Sequence, residues 1–273
     1  MATNKILKSL INNQIRRHIE VTRDVNLEIS SNTGKPINDI TKLKPFKPFN
    51  PADPIPKILH LCYKNKNIPE YVISTWQKLN PEYKINFYDD TDCINFLREN
   101  YGNLYVDIFN FIPDGPIKAD FFRICVIYRL GGIYCDIDIE PLVPFNEFIE
   151  RDVMFLTCVS ASRNQLNPHI IMANKYDPII KSCIDTYIQY YTFKTKYSYW
   201  VWSIVYIMRK HMCIKMKKYI NNDCIIIDEN GNKFQFIKEI GAFPNMKSFY
   251  CVYNNKRILN NRYDSYNSNK HTF

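Results

Sequence analysis

Apolar positions along this chain keep to two periods, and the switches between them mark out the elements. Leu7, Leu10, Ile11, Ile15 and Ile19 fall on one face of a helix over residues 5–22. Lys5, Lys8, Arg16 and Arg17 charge that segment, and the expected use of its apolar face is packing on the domain or a second subunit, ahead of lying on a membrane surface. Residues 23–44 are polar, and Pro45, Pro48, Pro51, Pro54 and Pro56 impose an extended connector. From Ile55 the pattern alternates strand and helix. Ile55–Tyr63 reads as a strand, Pro69–Leu79 as a helix bearing Val72, Ile73 and Trp76, Lys84–Tyr88 as a strand, and Thr91–Glu99 as a helix capped by Asp89, Asp90 or Thr91. Ile117, Phe121, Ile124 and Tyr128 form the stripe of a further helix, and Ile133–Cys135 a short buried strand. Val153–Val159 is a strand, and Ser160–Asn167 a polar loop suited to acceptor contacts. Ile170–Asn174 is apolar, and Asp177–Pro178 opens a helix with Ile179, Ile180, Cys183, Ile184, Tyr187, Ile188 and Tyr191 inward. Tyr199–Lys217 holds Trp200 and Trp202, residues 224–237 read as a hairpin around Asn230–Gly231, and residues 254–273 as a polar tail. Alternating strands and helices predict an α/β sheet.

The chain is organised around residues 115–141. Asp114–Gly115–Pro116 starts a helix, since Pro is tolerated where its missing N–H has no partner to lose. Gly131–Gly132 ends it, because Gly takes a positive φ without a Cβ penalty. The strand that follows delivers Asp136 and Asp138. Residues two apart on a strand point the same way, and two buried like charges repel. A hard divalent cation removes that objection and keeps coordination positions for substrate phosphates. Asp136 and Asp138 are therefore candidate metal ligands for Mn2+ or Mg2+ at a diphosphate site.

Ala119–Asp120, Arg123, Tyr128, Gly131–Gly132, Tyr134, Asp136 and Asp138, followed by Glu140–Pro141–Leu142–Val143–Pro144, make a combined pattern far more specific than Asp-x-Asp alone. The chain resembles glycosyltransferase family 32, the DXD-containing sugar transferases, and the related catalytic domains of clostridial glucosylating toxins. The resemblance covers roughly residues 55–190 and includes the opening Ile55-Pro56-Lys57, the strand with His60, and Trp76 with Asn80–Pro81. It implies a GT-A-type, Rossmann-like α/β sheet with helical additions and a retaining, metal-dependent transferase of hexosyl or N-acetylhexosaminyl groups. It also implies a nucleotide-sugar donor, a UDP-sugar ahead of a GDP-sugar, and a glycan, protein or lipid acceptor. Metal on Asp138 with help from Asp136, donor sugar and phosphate held by Asp120 and Arg123, and Asp136 near the ribose all follow from the resemblance. Tyr63 stands where the family has Trp and would meet the donor base. His60 reads as a structural histidine within the sheet.

Composition adds limits. The 273 residues suit one large domain with appendages, expected as 1–54 (helix and connector), 55–253 (the transferase domain) and 254–273 (a polar, frayed tail, for which the resemblance offers closure of the site, with Asn267 or His271 as the residues there). A hydrophobic content of 46% excludes global disorder. The net charge of +9 suits anionic ligands, but no nucleic-acid-binding signature accompanies it. The nine cysteines form no C-x-x-C pair and read as reduced core thiols. With no signal peptide or membrane-length apolar run, a cytoplasmic location is expected. The sequence does not set the oligomeric state. A rival phosphatase of the haloacid dehalogenase type would want Thr two residues after the second Asp, where Glu140 stands. A basic nucleic-acid-binding protein, the other rival, gives no reason for carboxylates at a strand end.

Overall fold

The computed structural model describes residues 48–161, 165–241 and 249–261. The expected helix over 5–22, most of the connector, Asn267 and His271 lie outside the described residues. The chain runs β1 (Ile58–Cys62), α1 (Glu70–Leu79), β2 (Lys84–Tyr88), α2 (Asp90–Tyr101), α3 (Asn103–Phe111), α4 (Gly115–Leu130), β3 (Gly132–Cys135) and β4 (Ile139–Pro141). After a 3-10 turn at Phe145–Glu147 come β5 (Val153–Val159), β6 (Leu166–Ala173), α5 (Pro178–Thr192), α6 (Tyr199–Trp202) and α7 (Ile204–Met216). The described part closes with β7 (Cys224–Ile227), β8 (Lys233–Ile240), β9 (Phe249–Tyr253) and β10 (Lys256–Asn261).

The strands form one mixed sheet in the order β2-β1-β3-β6-β5-β8-β9-β10-β4, with β7 also paired to β8. β1 pairs in parallel with both β2 and β3, the Rossmann-like half of the sheet, and most of the other pairings are antiparallel. Connectivity then dictates curvature. β3 and β4 are joined by three residues, Asp136–Asp138, yet five strands lie between them in the sheet. In a flat sheet they would sit about 29 Å apart at the usual ~4.8 Å spacing. The chain from Cys135 to Ile139 reaches at most about 14 Å. The sheet therefore curls into a half-barrel flanked by helices, as in the GT-A class, and Asp136–Asp138 spans its opening.

α4 is the central helix. The sequence marks a single apolar stripe, but the structure buries this helix on every side, including Asp120, Arg123 and Arg129. It touches β1, β3, β6 and four other helices, so a one-sided pattern underestimates it. Asp89, one of the three candidate caps, is the N-cap of α2 in a reciprocal capping box with Asp92. α3 was not foreseen, because Gly102 hides its start behind the end of α2. Residues 199–216, left without an element by the sequence pattern, form two helices that meet at Ser203, which caps α7 through its side chain. The hairpin at 228–232 forms as expected. The tail expected from Asn254 is a strand for its first part: β10 pairs with β9 and β4, so a boundary at 253/254 would cut a β-hairpin. Alternation there is obscured by the register shift between Arg257 and Leu259.

The junction between α4 and β3 is tight. Gly131 and Gly132 have φ of +64° and +100°, and a Cβ on Gly132 would meet the Ile58 carbonyl oxygen at 2.5 Å. His60 holds the same corner: its Nε2 donates to the Gly131 carbonyl at 3.0 Å, and Nδ1 faces the Tyr88 hydroxyl at 3.2 Å. Burial, chiefly, lowers its pKa to about 4, which fits the structural role.

Two outcomes are expected. Gly132→Ala costs at least about 2 kcal/mol in chemical denaturation, since it combines a forbidden φ with a backbone clash, while Gly115→Ala, with open space around it, stays within about 1 kcal/mol. His60 binds its proton less readily folded (pKa about 4) than unfolded, so its contribution is intact at pH 7 and is lost as pH falls from about 6.5 toward 4. Relative to wild type, His60→Gln gains up to about 3 kcal/mol on going from pH 7 to pH 4. Parallel pH profiles for the two proteins would refute this assignment.

Candidate functional site

The site forms at the carboxyl ends of β1 and β3, where ligands bind in open α/β sheets. Continuing the parallel register of β1 and β3 sets Cys62 level with Asp136 and Tyr63 one step beyond. Tyr63 is partly buried, donates its N–H to the Tyr88 carbonyl at 3.0 Å, and carries Lys64 Nζ 5.5 Å above its ring. The sequence places Asp136 and Asp138 on one face of a strand; the structure places Asp136–Ile137–Asp138 in a turn after β3 instead. The Asp136 N–H donates to the His169 carbonyl at 2.8 Å, and the Ile139 N–H to the Asp136 carbonyl at 3.1 Å. A closed turn, not strand alternation, brings the two carboxylates to one place.

Arg123 holds one of them. Its side chain is 5% exposed, so its charge must be compensated within the protein. Nη2 reaches Asp120 Oδ1 at 2.8 Å and Asp136 Oδ1 at 2.9 Å. Nη1 donates to the Pro168 carbonyl at 2.6 Å and to Asp136 Oδ2 at 3.4 Å, and Nε to the Ala119 carbonyl at 3.4 Å. The Tyr134 ring lies 4.8 Å below the guanidinium. A guanidinium has five N–H groups, and five acceptor contacts use them. Burial disfavours the charge on Arg123, but Asp136 and Asp120 outweigh it and raise its pKa. Asp120 is equally internal. Its Oδ2 accepts from the Ile204 N–H at 3.0 Å and the Ser203 hydroxyl at 3.4 Å, which ties α4 to the start of α7. Burial lifts its pKa to about 6 against the pull of Arg123. In this structure Asp120 and Arg123 thus spend their polar atoms on the protein rather than facing a donor.

Asp138 differs. Among the described residues no side chain forms an ion pair or hydrogen bond with it. Burial and then the Asp136 charge raise its pKa to about 7. It is the one carboxylate of the turn that a cation would still satisfy, and its oxygens suit a hard dication. Asp136 adds a second oxygen set already fixed by Arg123.

Behind the turn lies a polar layer that the sequence did not reveal. Cys158 on β5, His169 on β6 and Cys251 on β9 are buried, and their donor atoms all lie within 4.8 Å of one another, an arrangement that could hold a metal ion. His169 Nε2 is 3.3 Å from Cys251 Sγ, and Cys158 Sγ is 3.9 Å from Cys251 Sγ. Glu239 borders the layer, accepting from Asn261 Nδ2 at 2.7 Å, Asn167 Nδ2 at 3.0 Å and the Ala161 N–H at 3.2 Å. Burial opposes a charge on His169, yet Cys251, Glu239 and Asp136 hold its pKa up at about 9. Burial likewise opposes a Cys251 thiolate, yet Cys158 and His169 bring that thiol down to about 6. The cysteines are reduced, as expected, but these two are more than core filling. Their separation of 93 residues leaves no local spacing to recognise.

The fold and the carboxylate turn define a scaffold of the GT-A class. Residues 69–155, from the approach to α1 into β5, match the family described as glycosyltransferase sugar-binding region containing DXD motif. This part of the chain is thus related to DXD-type glycosyltransferases. Similar curated proteins include the initiation-specific alpha-1,6-mannosyltransferase of Candida albicans, 33% identical over 84 residues, which are 30% of this chain and 22% of that protein. The mannosyl phosphorylinositol ceramide synthase of Saccharomyces cerevisiae is 32% identical over 36% of this chain and 28% of its own length. Inositol phosphoceramide mannosyltransferase 1 of Schizosaccharomyces pombe is 26% identical over 37% of this chain and 34% of its own. The chain thus spans well under half the length of these relatives. A solved structure, PaToxG glycosyltransferase, matches with a TM-score of 0.45 at 18% identity over 60% of this chain and 71% of that one. Among the described residues no helix is long and apolar enough to cross a membrane.

Arg123→Ala strands two carboxylates and is expected to cost about 3–5 kcal/mol in urea denaturation with no ligand present. An arginine reserved for a donor phosphate would leave ligand-free stability unchanged, and that result would overturn the bracing role.

Proposed function

We propose that this chain is a metal-dependent glycosyltransferase that moves a sugar from a nucleotide-diphosphate donor to a glycan, protein or lipid acceptor with retention of anomeric configuration. The observation that carries the reading is the asymmetry of the Asp136–Asp138 turn: Asp136 is braced by Arg123, while Asp138 has no ion pair or side-chain hydrogen bond among the described residues. Asp138 holds a divalent cation, Mn2+ or Mg2+, with Asp136 assisting. Such an ion supplies charge neutralisation to a diphosphate leaving group. Arg123 and Asp120 position Asp136 from behind, and Tyr63 at the end of β1 stacks on the donor base. The match over residues 69–155 supports the sugar-transfer chemistry. The relatives' names speak of mannosyl transfer, and four of the first five name inositol phosphoceramide, which favours a mannosyl donor and keeps a lipid acceptor in view. The haloacid-dehalogenase reading is weakened because its nucleophile would be the first carboxylate, here clamped by Arg123.

Two measurements test the proposal. A thermal-shift panel of UDP, GDP and their sugar conjugates, with and without Mn2+, reads out donor base and metal dependence, since a ligand of the folded state raises its stability. Asp138→Asn should lower donor hydrolysis or transfer by roughly 100-fold or more. The same variant should melt no lower than wild type at pH 8, because it removes a half-buried carboxylate that has no ion pair and lies beside the Asp136 charge. Full activity in a well-folded Asp138→Asn protein would sink the metal-site assignment.

A further inference from the structure

We infer that Cys158, His169 and Cys251 form a second metal site, for zinc or a similarly thiophilic dication, buried behind the carboxylate turn and chemically separate from it. The donor set is two sulfurs and one imidazole nitrogen. Hard Mn2+ and Mg2+ avoid such ligands, whereas zinc selects them. Tetrahedral zinc with usual bond lengths (about 2.3 Å to sulfur and 2.05 Å to nitrogen) places two sulfurs about 3.8 Å apart and a sulfur and nitrogen about 3.6 Å apart. The corresponding separations are 3.9 Å between Cys158 Sγ and Cys251 Sγ, and 3.3 Å between Cys251 Sγ and His169 Nε2. Two edges of the coordination polyhedron are therefore formed to within about 0.3 Å before any ion enters.

Charge and burial agree with the geometry. On binding, one proton leaves Cys158 and one leaves the Cys251–His169 pair, and the two thiolates cancel the dication, so a neutral unit occupies the interior. Without an ion, Cys251 Sγ lies 3.3 Å from His169 Nε2 and 3.8 Å from Asn261 Oδ1, and Cys158 Sγ donates to the Val159 carbonyl at 3.4 Å. Glu239, the nearest acid, is occupied by Asn167, Asn261 and the Ala161 N–H. A disulfide is a poorer occupant, because its sulfurs would have to close from 3.9 Å to about 2.05 Å. The site would do structural work. It would tie β5, β6 and β9 together, and its His169 carries the carbonyl that receives the Asp136 N–H. This inference stands on the cluster alone and does not depend on the transferase reading.

The test is the metal content of the full chain, purified from zinc-supplemented culture without chelator and measured by plasma mass spectrometry. The expected result is about one zinc per chain, retained in Asp138→Asn and lowered about tenfold or more in Cys158→Ser and Cys251→Ser. Wild-type protein reloaded with Co2+ gives a readout that needs no variant to fold: a tetrahedral thiolate site shows a strong visible absorption and a sulfur-to-cobalt charge-transfer band. Zinc at background in the wild type, equal zinc in Cys251→Ser, a weak oxygen-ligand cobalt spectrum, or a Cys158–Cys251 disulfide in peptide mapping would each overturn it. Loss of zinc in the cysteine variants with nucleotide binding intact would separate this site from the donor site.

Discussion

The buried guanidinium of Arg123 is the constraint on which the rest of the site depends. A charge removed from water is tolerated only when its donors are met. Meeting them here draws in α4 through Asp120 and Ala119, the carboxylate turn through Asp136, and β6 through Pro168. Asp120 passes the constraint on to the start of α7. Four parts of the chain are held in register by two side chains, Arg123 and Asp120. The position of Asp136 is thus a property of the core, not of a surface loop.

Curvature explains why the carboxylates occupy a turn. The half-barrel needs β3 and β4 close in space, and only a tight connection provides that. The connection lies where the parallel strands end, so a feature required by topology coincides with the place where backbone dipoles and a cleft favour ligands. Gly131 and Gly132 contribute upstream, because the return from α4 into β3 passes against the Ile58 carbonyl with no room for a side chain.

Much of this was legible in the sequence, for reasons that also mark its limits. The helix stop at Gly131–Gly132, the strand at 133–135 and the carboxylate pair are local, and each leaves a signature within a few residues. Arg123 and Asp120 were visible as a pair, but their direction was not: whether they face a ligand or the interior depends on α7 and β6, which lie far along the chain. The Cys158–His169–Cys251 cluster was illegible because its members meet only through sheet pairing, and each alone reads as core. β10 was lost in a polar stretch, since it buries only part of its length and shifts register midway.

The two carboxylates of the turn show how stability and chemistry divide the work. Asp136 is paid for by Arg123 and fixes geometry. Asp138, two residues on, receives no such partner, and burial holds its pKa near 7. A protein optimised only for stability would compensate both or expose both. One carboxylate braced by an ion pair and one without an ion pair thus lie side by side at the carboxyl ends of β1 and β3, which is the asymmetry the proposed metal site uses. The layer beneath has a different balance: its thiols and imidazole offer soft ligands in a closed interior. Hard and soft donor sets therefore sit one behind the other, joined by the hydrogen bond from the Asp136 N–H to the His169 carbonyl. Their chemistries keep them from competing for the same ion, so the inner set can hold the frame while the outer set exchanges its ligand.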